Sequence, residues 1–284
     1  MKLKELFYML GLKPKVINFG LDIVNINYGD DQSCEWALWK NPKCPALPRI
    51  KDYDILKSFL ELGDFAIDLG AHVGDTTLPM AICVGKKGLV LALEPNPATY
   101  KILQANSALN QEITNIVSIN AAAMSEDGDF VFQYNEASLM NGGYQKDISR
   151  FKHASFYKID VKGINLSQLL IKNYSDRLES LKFIKTDLEG GDYTAFLTIK
   201  DIVIKHMPVI QSEINGVMSK AVRNDYIKDL RALGYHIFSL NSEMLDSMKT
   251  LSQSMIDSKD TFDIFAIPES MMEKFKDFNI KELR

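Results

Sequence analysis

The sequence predicts an α/β protein built on a doubly wound, mostly parallel sheet with helices on both faces. Three observations carry this prediction. Short apolar runs alternate with helical stretches from residue 64 to about 240, as βα units require. The first of these runs, in DFAIDLGAHVGD (64–75), breaks at once into a glycine turn. Acids stand at the ends of successive runs: Asp68, Glu94, Asp187 with Glu189, and Glu213. Parallel sheets bind ligands outside the carboxyl ends of their strands, which is where these acids would cluster.

The chain has 284 residues, 46% of them hydrophobic, enough for a core that needs no disulfide or metal staple. It is one large domain or a domain with an appendage. The net charge is −4 and the basic residues are scattered, with Lys86 and Lys87 too short a run for a binding patch. No nucleic-acid partner is therefore expected. Cys34, Cys44 and Cys83 are odd in number and lack CxxC spacing. They are expected as reduced thiols in the cytoplasm, with a Cys34–Cys44 bridge as the alternative. No apolar run reaches ~18 residues, so no membrane span is expected. MKLKELFYMLGLKPK (1–15) reads as an amphipathic starter helix and not a secretory signal, because Glu5 interrupts a short apolar part.

Taken in order, residues 1–50 read as irregular, with the prolines of NPKCPALPRI (41–50) forcing extended or turning chain. DYDILKSFLEL (52–62) has helical spacing and stops before Gly63. FAIDLG is a strand and DTTLPMAICVG a helix containing a proline. GLVLALEP (88–95) is the second strand. NPATYKILQANSALN follows as a helix, with Asn96 as N-cap and Pro97 in its first position. NIVSINAAAM holds the third strand. DFVFQYN and FYKIDVKGI read as strands around a polar insertion, with Gly142 and Gly143 at its tip, that could close over a bound molecule. NLSQLLIKNY is a short helix, LKFIKTDLEG a strand, GDYTAFLTIKDIVIKHM helical, and PVIQSEIN the fifth strand. DYIKDLRALGY is a helix ended by Gly234, and HIFSL and FDIFAIPE close the chain as two strands.

The glycine turn offers backbone N–H groups at a helix start and close approach for a ligand. Its Gly70-x-x-x-Gly74 spacing fits neither GxGxxG nor a Gly-Lys-Ser/Thr phosphate loop. Glu94, at the end of the second strand, can accept hydrogen bonds from both hydroxyls of a ribose. Together the two features indicate a nucleoside site.

Four segments resemble the FkbM family of S-adenosylmethionine-dependent methyltransferases: IDLGAHVGDTTL (67–78), VLALEPNPATYKILQANSALN (90–110), FIKTDLEGGDYTAFL (183–197) and PVIQSEI (208–214). The tail LRALGY…FDIFAIPE also fits, and the likeness spans roughly residues 60–268. The resemblance implies a class I, Rossmann-like fold of seven strands with an antiparallel last strand, its last two strands forming an antiparallel edge. It implies a methyltransferase domain over 61–284 with an insertion at about 129–163. Residues 1–60 are then an extension with a possible substrate or oligomer role. It implies that Asp68, Gly70, Ala71, His72, Gly74, Asp75, Thr76 and Thr77 surround the methionine part of the cofactor. Glu94, with Pro95 and Asn96, would take the ribose, and Ala122 would face adenine. His72 departs from the family pattern, where Asn is usual.

KTDLEGGD (185–192) is the second chemical centre. Methyl transfer is an in-line displacement, and a hydroxyl acceptor benefits from a carboxylate base within reach. Asp187 is the first choice for that base and also a cofactor contact. Glu189 is the second choice, with capping of the following turn as its alternative role. Glu213 is expected beside Asp187 across the sheet edge. Asp187, Glu213 and Asn215 could also hold a divalent cation; hydrogen bonds to the acceptor are preferred. His153, His206 and His236 have no partner at metal spacing. Trp36, Trp39 and Lys40 could form an aromatic wall for a sugar or a lid over the core.

The resulting expectation is a cytoplasmic methyltransferase acting on oxygen, with a sugar or other small molecule or glycan as acceptor. A dinucleotide-dependent oxidoreductase and a non-catalytic cofactor-binding protein are the alternatives.

Overall fold

The computed structural model describes residues 17–28, 32–42, 44, 47–134, 142–144, 157–240 and 248–276. The starter helix, His153 and most of the polar insertion lie outside the described residues.

Residues 1–50 are not irregular throughout. β1 (Leu21–Tyr28) and β2 (Gln32–Trp39) form an antiparallel hairpin. Its signal is the period-two run Val24-Asn25-Ile26-Asn27-Tyr28, whose asparagines are exposed. A 3₁₀ turn at Ile50–Asp52 then leads into α1 (Tyr53–Phe59).

The βα units follow as β3 (Phe65–Leu69), α2 (Thr77–Val84), β4 (Leu89–Leu93), α3 (Pro97–Ala108) and β5 (Ile116–Ile119). Pro79 is tolerated because it lies in the first turn of α2, where no intrahelical N–H is needed. At α3 the Asn96 side chain accepts from the Ala98 N–H at 2.9 Å and Pro97 is the first helical residue.

β6 (Ala122–Met124), β7 (Gly128–Tyr134), β8 (Gly142–Tyr144) and β9 (Tyr157–Asn165) form a second sheet in the order β6-β9-β7-β8. Gly142 and Gly143 pair with Tyr134 and Gln133, so they start a return strand and do not form the tip of the insertion. α4 (Leu166–Asn173), capped by Asn165, returns the chain to the main sheet.

β10 (Leu181–Thr186), α5 (Asp192–Thr198), α6 (Lys200–His206), β11 (Val209–Ile214), α7 (Lys220–Ala232) and β12 (Tyr235–Leu240) continue the main sheet. β13 (Met248–Thr250), α8 (Gln253–Asp257) and β14 (Phe262–Pro268) complete it. The strand order is β13-β12-β14-β11-β10-β3-β4-β5. β5, β4, β3, β10 and β11 are mutually parallel, and β14 runs antiparallel to both β11 and β12. Among the described residues the main sheet therefore has eight strands instead of seven. The last strand is antiparallel as expected, but it sits inside the sheet and not at its edge. The added strand, β13, is three residues long, too short to carry a pattern.

Alternate residues of each strand feed opposite faces. Ile67, Leu69, Leu91, Ile184 and Ile210 pack under one helical layer, and Ala66, Val90, Phe183 and Val209 under the other. Strand order reverses between β3 and β10, which opens a crevice at their carboxyl ends. The hairpin closes one side of it. Trp36 and Trp39 pack with Val73, Leu78 and Ile102. The Asn106 side chain accepts from Ala37 N–H at 2.7 Å and donates to Val73 O at 2.9 Å.

Candidate active site

The turn after β3 is set by backbone geometry. Gly70 has φ +78°, and a Cβ there would stand 2.0 Å from the Asp187 carbonyl oxygen. The N–H groups of Gly70 and Ala71 both donate to Leu93 O, at 2.9 and 3.0 Å, tying the turn to β4. His72 and Gly74 also have positive φ, +52° and +95°.

Asp68 is fully buried beneath this turn. Its Oδ2 accepts from the Thr76 and Thr77 hydroxyls at 2.8 and 2.6 Å, linking the end of β3 to the start of α2. These three side chains thus form one bonded set. Asp75 is partly buried, with Arg49 Nε at 3.7 Å and His72 Nδ1 at 3.9 Å.

Glu94 is held in place by its neighbours. Oε1 accepts from the Asn96 N–H at 2.8 Å and the Thr99 hydroxyl at 3.0 Å, and Oε2 accepts from the His72 N–H at 2.8 Å. The second strand end is thereby fastened to the first turn. Burial pushes its pKa up to about 7 despite those three donors. Pro95 and Asn96 lead into α3, and the Asn120 amide donates to Glu94 O at 2.8 Å. Ala122 is buried at the start of β6, just past β5.

The third component was not anticipated from the sequence. Lys185 is almost fully buried in β10, directly opposite Asp68. Its Nζ lies 3.7 Å from Asp68 Oδ1, 3.4 Å from Asp187 Oδ2 and 3.4 Å from Gly70 O. Burial opposes its charge, but Asp187, Asp68 and Asp75 outweigh burial and raise its pKa. Asp68 Oδ1 has no hydrogen bond, which leaves the lysine as its compensation. A fully uncompensated buried charge costs ~3–5 kcal/mol. Because Asp68 keeps its two hydroxyl donors, Lys185→Met is expected to destabilise by less, about 2 kcal/mol. Urea denaturation checks this, and an unchanged midpoint would contradict it.

Asp192, also missed, is fully buried. It accepts from the N–H groups of Leu188 and Gly190 at 3.2 and 3.3 Å and so shapes the loop after β10. That loop carries Glu189 at φ +53°. Asn215 Nδ2 bridges Glu213 Oε2 at 2.9 Å and Glu189 Oε2 at 3.2 Å. Burial first, then the nearby Asp187, pushes Glu213 up to about 8 and raises Glu189. Asp187, Glu189 and Glu213 thus converge at neighbouring strand ends, as the sequence suggested. Asn215 Oδ1 accepts from the Val217 N–H at 3.0 Å. Among the described residues no group of three His, Cys, Asp or Glu could hold a metal ion.

The raised carboxylates give a pH prediction. Glu94 and Asp192, each at about 7, and Glu213 at about 8 bind protons more tightly folded than unfolded. Folded protein then holds more protons than unfolded chain up to about pH 8, so stability falls as pH rises. Burial lowers His72 and His206, which act in the opposite sense below about pH 6.5. Above that pH the carboxylates dominate, and Tm without ligand is expected to be lower at pH 8.5 than at 6.5. Calorimetry showing a rise would contradict the assignment.

Other expectations change. Trp36 is completely buried in the core and cannot form a wall for a sugar. Trp39 is buried with its ring against His72, centroids 6.2 Å apart, and Lys40 pairs with Asp22 at the surface. His236 pairs with Glu269 and His206 ends α6. None of the three cysteines forms a disulfide. No helix among the described residues is long and apolar enough to cross a membrane.

A mostly parallel sheet with the antiparallel β14 inserted between β11 and β12, an acid closing the second βα strand, and a glycine turn after the first define a class I methyltransferase architecture. Residues 68–249 match the methyltransferase FkbM domain, and the chain belongs to that family of S-adenosylmethionine-dependent methyltransferases. The oxidoreductase alternative falls with this membership. Methyltransferase sdnD of Sordaria araneosa is 25% identical over 185 residues, covering 57% of this chain and 68% of that protein. The crystal structure of methyltransferase FkbM from Methylobacillus flagellatus KT aligns at 13% identity and a TM-score of 0.40. That alignment covers 72% of this chain and 43% of the other. M. jannaschii TYW2 in complex with AdoMet aligns at 14% identity and a TM-score of 0.41, covering 89% of this chain and 85% of that one.

Proposed function

We propose that the protein methylates a hydroxyl oxygen of a small molecule, a sugar or a secondary metabolite, with Asp187 as general base. The observation that carries this reading is that Glu94, fixed by three donors, and Asp187, Glu189 and Glu213 all stand at the carboxyl ends of parallel strands of one sheet. The residues fit the cofactor. A carboxylate has about four acceptor positions, and three on Glu94 are filled by the protein, leaving one on Oε2 for a ribose hydroxyl. Gly70 lets the turn pack against the Asp187 carbonyl, and Ala71, His72 and Gly74 continue it. When bound, S-adenosylmethionine supplies an electrophilic methyl on its sulfonium.

Asp187 then accepts the proton of the acceptor hydroxyl. Lys185 holds its Oδ2, which leaves Oδ1 for that proton. Glu213, at about 8, keeps its own proton at neutral pH and donates a hydrogen bond to the acceptor. Glu189, tied to Asn215, orients it. The β3 turn would hold the cofactor beside the rim, and in-line transfer would need the acceptor on the far side of its methyl from the sulfur.

Incubation with methyl-tritiated S-adenosylmethionine and fractionated small-molecule and glycan extracts tests the reading. Label is expected in a base-stable methyl ether. Label on nitrogen would overturn the oxygen assignment, and no transfer to any fraction would overturn the acceptor class.

A further inference from the structure

We propose that Arg223 is a positioning residue: from inside α7 it fixes the main chain of Asn215, so that one amide holds Glu189 and Glu213 together. This rests on the reading that the carboxyl ends of β10 and β11 form the acceptor side of the site.

Arg223 is 1% exposed, one of the largest fully buried side chains of the protein. A buried cation is unfavourable unless it is paired. Its partners among the described residues are two main-chain carbonyls and a ring, not a carboxylate. Nη1 donates to Ser258 O at 2.8 Å and Nη2 to Asn215 O at 2.9 Å, and the guanidinium carbon lies 6.0 Å from the centre of the Phe262 ring. Nε is buried with no hydrogen bond. An apolar side chain of similar volume would fill this space without burying a charge. What it could not supply is a rigid fork that donates to two carbonyls at once.

Both carbonyls belong to loops beside the acids. Ser258 precedes β14, and Asn215 follows β11. Gly216 donates its N–H to Thr261 Oγ1 at 2.9 Å, and a Cβ on Gly216 would stand 2.6 Å from Lys259 O, so the two loops are packed tightly together. The Asn215 side chain is fully used. Oδ1 accepts from the Val217 N–H at 3.0 Å, and the two hydrogens of Nδ2 serve two carboxylates, Glu213 at 2.9 Å and Glu189 at 3.2 Å. One nitrogen reaches both acids only over a narrow range of positions. That range is set by the Asn215 main chain, whose carbonyl is held by Arg223 and by the Met218 N–H at 3.0 Å. Glu213 lies in β11 and Glu189 in the loop after β10, so the arginine couples two strand ends through a single amide.

The test is carboxyl titration by NMR on the full chain labelled with ¹³C-glutamate, the two resonances being assigned with Glu189→Gln and Glu213→Gln. Asn215→Ala removes the donor that both carboxylates share and is expected to raise both pKa values by about one pH unit. Arg223→Met and Arg223→Gln are expected to raise both in the same direction. Arg223→Met combined with Asn215→Ala is expected to go no further than Asn215→Ala alone. Asp187, Asp192, Asp263 and Lys185, the other charged groups around the pair, are the same in every variant. A direct effect of the guanidinium charge would add in the double variant and overturn the proposal. Carboxyls unshifted in Asn215→Ala, or in the Arg223 variants, would also overturn it. Loss of the folded spectrum in both Arg223 variants would assign the residue to folding and do the same. No acceptor enters the measurement, so its failure is distinct from a failure of the methyl-transfer assay, which judges the acceptor reading.

Discussion

Asp187→Asn is expected to lower kcat by about 10²–10⁴-fold while S-adenosylhomocysteine affinity stays within about threefold. The substitution is nearly isosteric and leaves an oxygen to face the Lys185 ammonium, now 3.4 Å from Asp187 Oδ2. The backbone carbonyl of Asp187, which crowds Gly70, is untouched. What disappears is a carboxylate able to take the acceptor's proton. A second consequence separates chemistry from structure. Asp187 contributes to the raised pKa of Glu213, Glu189, Asp192 and Asp263. Removing its charge lets those groups ionise at lower pH, so Glu213 becomes available as a substitute base. Residual activity should therefore show a changed pH profile. Wild-type kcat in the variant would remove Asp187 as the base.

Gly70→Ala is expected to abolish cofactor binding and to cost about 2–5 kcal/mol of stability, from left-handed backbone and overpacking together. The obstacle is the Asp187 carbonyl, 2.0 Å from the added Cβ, and a main-chain oxygen in a strand end cannot swing away as a side chain would. Relief requires β3 and β10 to part where the crevice begins. Gly234→Ala is the control. It has φ +86° with nothing within 4 Å of the added Cβ, so it meets only the conformational cost of about 1–2 kcal/mol. Chemical denaturation of both, with S-adenosylhomocysteine titration of Gly70→Ala, measures the difference. Equal losses in the two variants, or retained ligand binding in Gly70→Ala, would contradict the close-contact account.

The parts of the site that were legible are those coded locally. Apolar runs ending at Asp68, Glu94, Asp187 and Glu213 announce strands and place the acids at their carboxyl ends. Asn96-Pro97 announces α3, because cap and first-turn preferences act within a few residues. Lys185 was not legible, since its meaning depends on the β3–β10 register that sets it opposite Asp68, between strands far apart in sequence. The insertion of β14 between β11 and β12 is likewise a property of strand order, which no local pattern records. The β1–β2 hairpin was masked by the prolines that follow it, although its asparagine alternation was readable. Trp36 showed its type but not its face, and the structure puts it wholly inside.

The central claim is that Glu94 grips the ribose of the cofactor beside the Gly70 turn. Calorimetric titration of S-adenosylhomocysteine into wild type and Glu94→Ala, at pH 6 and pH 8, tests it most directly. Burial sets the Glu94 pKa at about 7, and only the ionised form is a full acceptor, so wild-type affinity should strengthen from pH 6 to pH 8. Glu94→Ala should weaken binding by about 1–3 kcal/mol and flatten that pH dependence. A variant that binds as tightly as wild type at both pH values would contradict the account.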